Sequence, residues 1–338
     1  MERNAVIRWA MLLAALALFF LEPARASSEG RASVFLVVGA PGEPEYGTNF
    51  LRQAELWTLA AQKGGAQVTT IGVGGGTNDL EALKNGLAAE PTHGVAELWL
   101  VLIGHGTFDG KEARFNLRGP DVAASDLAAW LKPITRPVVV VNTASASAPF
   151  LNALSGTNRT VVVATRSGSE VNATRFGLPF AEALSDPTAD LDHDGQVSVL
   201  EAFLAASRRV AEFYQTAGRL ATEHALLDDS GDGLGTPADW FRGVRARKQA
   251  QQGSVMDGAR AQRIALIPSA EEQALGPEAR ALRGELEAKI ELLRSRKASL
   301  PADEYYRELE TMLLRLAQLY APIPQPRDGS AAAREVRF

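Results

Sequence analysis

The residues with the clearest chemical purpose lie in the run Asp190-Leu191-Asp192-His193-Asp194-Gly195-Gln196-Val197-Ser198-Val199-Leu200-Glu201. Alternate positions carry Asp190, Asp192 and Asp194, which brings three carboxylates round one point. Gly195 permits a sharp turn, the Gln196 carbonyl and Ser198 supply further oxygens, and Glu201 closes the shell in bidentate fashion. Three carboxylates crowded without a cation repel one another, so a bare solvated turn accounts for them poorly. The chemistry implied is binding of Ca2+. Helical patterns flank the loop, with Phe180, Ala183 and Leu184 before it and Leu200, Phe203 and Leu204 after it. His193 points outward in this frame and is assigned no role.

The run follows the EF-hand pattern at every diagnostic position. A second segment, Asp228-Asp229-Ser230-Gly231-Asp232-Gly233, opens in the same way. Asp228, Ser230, Asp232, the Leu234 carbonyl and Asp239 would form its ligand set, weaker because its last carboxylate is shorter than glutamate. Thr236-Pro237-Ala238-Asp239 also reads as a helix cap with proline at the first helical position. That alternative explains Thr236 and Asp239 but leaves Asp228 and Asp232 without a purpose.

A second kind of chemistry is suggested by His105, held between Gly104 and Gly106, and by Ser145 within the small-residue run from Thr143 to Ala148. A serine nucleophile needs a base in hydrogen-bond contact, itself oriented by a third group. Asp109 and Glu112 follow His105 in a loop, and no acid adjoins it. The plainer reading makes His105 a turn histidine and Ser145 a small residue where a strand turns tightly.

These residues need a frame. Val34 to Gly39, Gln67 to Val73, Leu98 to Gly104, Val138 to Asn142 and Thr160 to Thr165 are short apolar runs without alternation. Such runs predict strands buried on both faces, hence a parallel sheet covered by helices. Helical patterns at Asn49 to Gly64, Asn78 to Ala89 and Ser125 to Leu131 complete a doubly wound α/β layout, in which ligands sit at the carboxyl ends of the strands. His105 ends the third strand and Ser145 follows the fourth.

On these residues, the segment 33–180 resembles the caspase-type peptidase fold, and most closely the legumain family. That family carries His-Gly after its third strand and Cys-x-Ser-Gly after the next. The resemblance implies that His105 is the general base, the Gly106 amide an oxyanion donor and Ser145 the nucleophile position, with Ser147-Ala148 standing for Ser-Gly. It also places Arg166, Ser167 and Glu170 where such folds build substrate pockets. Two departures matter: serine replaces cysteine at 145, and alanine replaces glycine at 148. A thiol reacts even with a loosely placed histidine, whereas an alcohol does not. Two readings follow. One is a calcium-stabilised peptidase homologue that binds a peptide or protein in its crevice without cutting it. The other is a calcium-dependent endopeptidase working through Ser145 and His105.

The remaining features bound these readings. The chain has 338 residues, no cysteine and a net charge of −5, so disulfides and thiolate sites are excluded and nothing favours nucleic acid. Residues 1–26 read as a secretory signal, with Arg3 and Arg8, an apolar run from Trp9 to Leu21, and Ala24-Arg25-Ala26 as the cleavage site. A retained anchor is the competing reading, but the run is short of the roughly 20 residues a bilayer needs. Cleavage makes the protein exported, periplasmic or extracellular, with no membrane contact, and takes the charge from −5 to −6 by removing three basic and two acidic residues. Residues 181–252 form a helical extension holding both loops. Within 262–321, Leu282, Leu286, Ile290 and Leu293 form one stripe, and Tyr306, Leu309, Leu313, Leu316 and Tyr320 another. They predict a helical hairpin that packs on the main domain or pairs two copies into a homodimer. Residues 322–338 read as a disordered tail.

Overall fold

The computed structural model describes residues 30–251 and 255–320; the segments read from the sequence as a signal (1–26) and a tail (322–338) lie outside them. The five apolar runs form β1 (Ser33–Val38), β2 (Gln67–Ile71), β3 (Leu98–Ile103), β7 (Val138–Asn142) and β8 (Arg159–Val163). They pair in parallel in the order β2-β1-β3-β7-β8, and two short strands, β9 (Leu226–Asp228) and β10 (Thr236–Pro237), extend the β8 edge antiparallel. The result is a mixed α/β molecule with a mostly parallel central sheet.

Burial explains why the runs lack alternation. Every residue of β1, β3 and β7 is buried, and their side chains feed two separate cores. Val34, Leu36 and Val38 join Trp57, Trp99 and Phe180 on one face; Phe35 and Val37 join Leu83, Leu100 and Phe115 on the other. Each fully buried side chain of this size contributes roughly 1.5–3 kcal/mol. β2 departs from the expectation: only Ile71 is buried, because the strand lies at the sheet edge with one neighbour.

Helix α1 (Pro44–Lys63) starts with proline in its first turn and lays Phe50, Ala54, Trp57 and Ala61 on the sheet. Helices α2 (Asp79–Ala89), α3 (Ala124–Leu131) and α4 (Ala148–Leu154) follow their strands, and α5 (Gly177–Ala183) and α6 (Val199–Thr216) bracket the acidic loop. A separate antiparallel meander of β4 (Gly106–Phe108), β5 (Ala113–Phe115) and β6 (Val122–Ala123) inserts after β3. Its strands are two or three residues long, too short to leave a periodic signal.

The chain divides into two compact units between Ser269 and Ala270. In the first, the segment after residue 255 returns to the main core: Ala261, Ile264 and Leu266 are buried there, and the Val199 amide donates to the Ile264 carbonyl at 2.8 Å. The second holds α7 (Ala270–Ala274), α8 (Pro277–Ser295) and α9 (Ala302–Leu319). Leu286, Ile290, Leu293 and Tyr305 are buried within it, whereas Leu282, Tyr306, Leu313 and Tyr320 are exposed. Among the described residues, no helix is long and apolar enough to cross a membrane.

Candidate functional site

β1 and β3 are adjacent, and the strand order reverses around them, so the crevice beyond their carboxyl ends is the place where a doubly wound sheet binds ligands. His105 stands there. Its Nε2 lies 3.2 Å from the Pro41 carbonyl, which follows β1, and its ring packs edge-on against Tyr46 and Phe50 at 4.7 and 5.1 Å between centroids. Because a carbonyl only accepts, Nε2 carries a proton, and in the neutral ring Nδ1 is the acceptor. The orienting group is thus a backbone oxygen. The expected acids are engaged elsewhere: Asp109 accepts from the Lys111 and Glu112 amides and pairs with Arg114, and Glu112 accepts from Ser125.

The glycines beside His105 are needed for space. A Cβ on Gly104 would lie 2.8 Å from the Phe115 ring, and one on Gly106 would lie 2.4 Å from the Ser145 carbonyl. Gly106 is therefore pressed against the turn that carries Ser145. The Ser145 hydroxyl donates to the Gly106 carbonyl at 3.0 Å and accepts from the Gly106 amide at 3.1 Å. It is 2% exposed, and residues 143–148 are all buried. His105 and Ser145 thus flank the same glycine, yet the hydroxyl bonds to backbone and makes no hydrogen bond to the imidazole. The Gly106 amide, spent on Ser145, is not free to hold an oxyanion.

The turn itself is fixed from several sides. The Ala144 amide donates to Asn142 Oδ1 at 3.0 Å, and the Thr143 hydroxyl donates to the Leu102 carbonyl at 3.0 Å. Ala146 sits at φ +50°, uncommon for a residue with a Cβ, and its amide donates to the Glu170 carbonyl at 2.8 Å. Ser147 Oγ accepts from the Ala164 and Thr165 amides at 3.1 and 3.2 Å, which ties the turn to the end of β8. Ser147 therefore has a structural purpose.

The three residues expected to line a substrate pocket divide. Arg166 is exposed and pairs with Glu170, and Ser167 bonds to Ser169 through its hydroxyl and to the Glu170 amide through its carbonyl. Glu170 is the junction: its carboxylate accepts from the Arg166 amide at 2.9 Å, the His224 amide at 3.2 Å and His224 Nδ1 at 2.6 Å. Nothing in the local sequence singles out His224, because 54 residues separate the partners.

In the acidic loop, one carboxylate oxygen from each of Asp190, Asp192 and Asp194 lies within 4.8 Å of the others, the sole such acidic or imidazole group of three among the described residues. Asp190 Oδ2 accepts from the Gly195 amide at 3.0 Å, the turn that Gly195 makes at φ +84°, while Oδ1 is buried with no partner. Burial pushes the Asp194 carboxyl above its ordinary value, and the charges of Asp192 and Glu201 add to this. Glu201, 1% exposed, accepts from the Leu191 and Asp192 amides at 2.7 and 3.2 Å and from the Ser198 amide and hydroxyl at 2.9 and 2.7 Å. It thereby also caps α6. The Gln196 side chain bonds to Asp194 and to the Ser269 amide.

The second loop is built alike, with one change of residue. Asp228 accepts from Ser230, Gly231 and Gly233. Asp232 accepts from the Leu234 amide at 2.8 Å. Asp239, exposed in a short 3-10 turn, makes none of these bonds. Asp257 stands in the place that Glu201 takes in the first loop: Oδ1 accepts from the Asp229 and Ser230 amides, both at 3.0 Å, and Oδ2 from the Thr236 hydroxyl at 2.6 Å. Burial, with Asp229 and Asp228 nearby, pushes Asp257 up to about 7. The sequence carries no hint of this role, since Asp257 comes from a segment beyond the loop.

No family model matches the chain, and no curated protein does. Solved structures similar to it include the Drosophila initiator caspase Dronc, at 14% identity and TM-score 0.41, covering 60% of this chain and 80% of that one. Caspase-1 from Spodoptera frugiperda follows at 13% and 0.39, covering 59% and 86%. A Geobacter sulfurreducens protein stands at 12% and 0.36, covering 59% and 92%. At this level the likeness carries no inference about activity, which rests on the geometry alone.

Proposed function

We propose that this protein is an exported, calcium-binding homologue of caspase- and legumain-type peptidases that binds a peptide or protein segment in its strand-end crevice without cutting it. The observation that carries the reading is the Ser145 hydroxyl, buried and bonded in both directions to Gly106. General-base catalysis requires the nucleophile's proton to face the base at about 2.6–3.2 Å. His105 has an available Nδ1 and no hydroxyl to receive from. The alternative, an endopeptidase using Ser145 and His105, would need the turn 142–148 to unlatch from Asn142, Glu170 and Thr165 first.

Calcium is assigned to the first loop because Asp190 leaves a buried, unpartnered oxygen beside two further carboxylates, a donor set of hard oxygens suited to this ion. Asp190, Asp192, Asp194 and the Gln196 carbonyl would hold it; Ser198 and Glu201 would complete the set on exchanging their present bonds to each other and to the loop amides for the ion. In the second loop, Asp228, Ser230, Asp232 and the Leu234 carbonyl would bind a weaker ion, closed by Asp257 in preference to Asp239. Incubating the calcium-loaded chain with a peptide library tests both parts of the reading. Saturable retention of a subset of peptides with no new termini is expected; turnover that disappears in Ser145→Ala would establish the alternative.

A further inference from the structure

A cavity of about 420 Å3 opens beside the Glu170–His224 pair, between α6 and the chain leading into and out of the β9–β10 hairpin. That volume is in the range of sites that enclose small molecules. Its wall is mainly apolar, including Ala164, Phe176, Leu204, Val210, Ala225 and Pro237. It belongs neither to the acidic loops nor to the turn carrying Ser145.

Its polar groups restrict what can enter. Glu223 lines the cavity but its carboxylate is already spent, accepting from the Arg175 and Phe176 amides and the Tyr214 hydroxyl at 2.8–3.1 Å. Arg208, exposed, pairs with Glu212 at 3.7 Å, and Asp239 is exposed to solvent. The buried part of the lining therefore offers no charge to an ion, and burying one without a partner is costly. One group is left, since Ser207 Oγ is buried behind the lining, where a helical serine can bond to its own backbone. His224 commits Nδ1–H to Glu170, which leaves Nε2 as an acceptor in the neutral ring. One hydroxyl on a ligand supplies what the ring lacks, a donor for Nε2.

We propose that this cavity binds an uncharged aliphatic molecule carrying a single hydroxyl. The site shares a residue with the turn above it, since the same Glu170 that orients His224 holds the Ala146 amide through its carbonyl.

Titration calorimetry of the full chain with n-octanol, n-octanoate and n-octylamine tests the assignment. One saturable site for n-octanol is expected, with the two ions weaker by at least about tenfold because each would bury an uncompensated charge. Ala211→Trp, at an exposed lining position, should abolish binding, and His224→Phe should weaken it several-fold; Leu204→Trp gives a second block should the first fail to fold. Absence of a saturable site, survival of binding in a folded blocking variant, or tighter binding of either ion would overturn the proposal.

Discussion

At the scale of single residues, Ser145 decides between binding and catalysis. A buried hydroxyl that both donates to and accepts from one backbone unit contributes about 1 kcal/mol, and its loss leaves Gly106 with unpaired groups costing about 1–3 kcal/mol. Ser145→Ala should therefore lower unfolding free energy by roughly 1–3 kcal/mol in denaturant titration while leaving peptide retention intact. That an alcohol and not a thiol stands at position 145 was legible in the sequence. The engagement of that alcohol was not, because its partner is backbone, as is the Pro41 oxygen that orients His105. Glu223 allows a second prediction. Burial holds its carboxyl above the ordinary 4.5, so the folded state keeps a proton that the unfolded state has already released. Stability should thus fall as pH rises from about 4.5 through the folded-state value. Glu223→Gln should flatten that slope in thermal unfolding series, and an unchanged slope would assign it to other groups.

At the scale of elements, the two acidic loops are variations on one scheme, a carboxylate that gathers the second and third amides together with a later hydroxyl. In the first loop Glu201 supplies it from within the loop. In the second, Asp257 supplies it from outside, a contact that a reading confined to the loop, which points to Asp239 as the last ligand, does not contain. Calcium should raise the melting temperature, since it binds only the folded loop; a hundredfold excess over Kd is worth about 2.7 kcal/mol. Asp190→Ala with Glu201→Ala should abolish most of that shift, and a shift that survives whole would place the ion elsewhere. Asp257→Ala should destabilise even calcium-free protein by about 1–3 kcal/mol, because the Asp229 and Ser230 amides lose their acceptor. Asp239→Ala should be near neutral in the same denaturant assay.

At the scale of the whole molecule, the parallel sheet was legible because β1, β3, β7 and β8 are nearly continuous apolar runs in a buried centre. The meander β4–β6 and the β9–β10 edge were not, being too short for periodicity to register. In the second unit, the stripe of α8 is largely buried, whereas Tyr306, Leu313 and Tyr320 on α9 remain exposed, at 56%, 45% and 44%. The homodimer expected from the sequence would cover this face with a second copy of the chain. Light scattering should give a dimer mass, and Leu313→Glu with Leu314→Glu should return it to monomer; a monomer at micromolar concentration in the unaltered chain would rule this out. Sequestered by Gly106, Ser145 should not act as a nucleophile, and intact-mass analysis of the calcium-loaded chain after exposure to a fluorophosphonate decides this. The expected result is an unmodified mass identical to that of Ser145→Ala. A stoichiometric adduct mapped to Ser145 would contradict it.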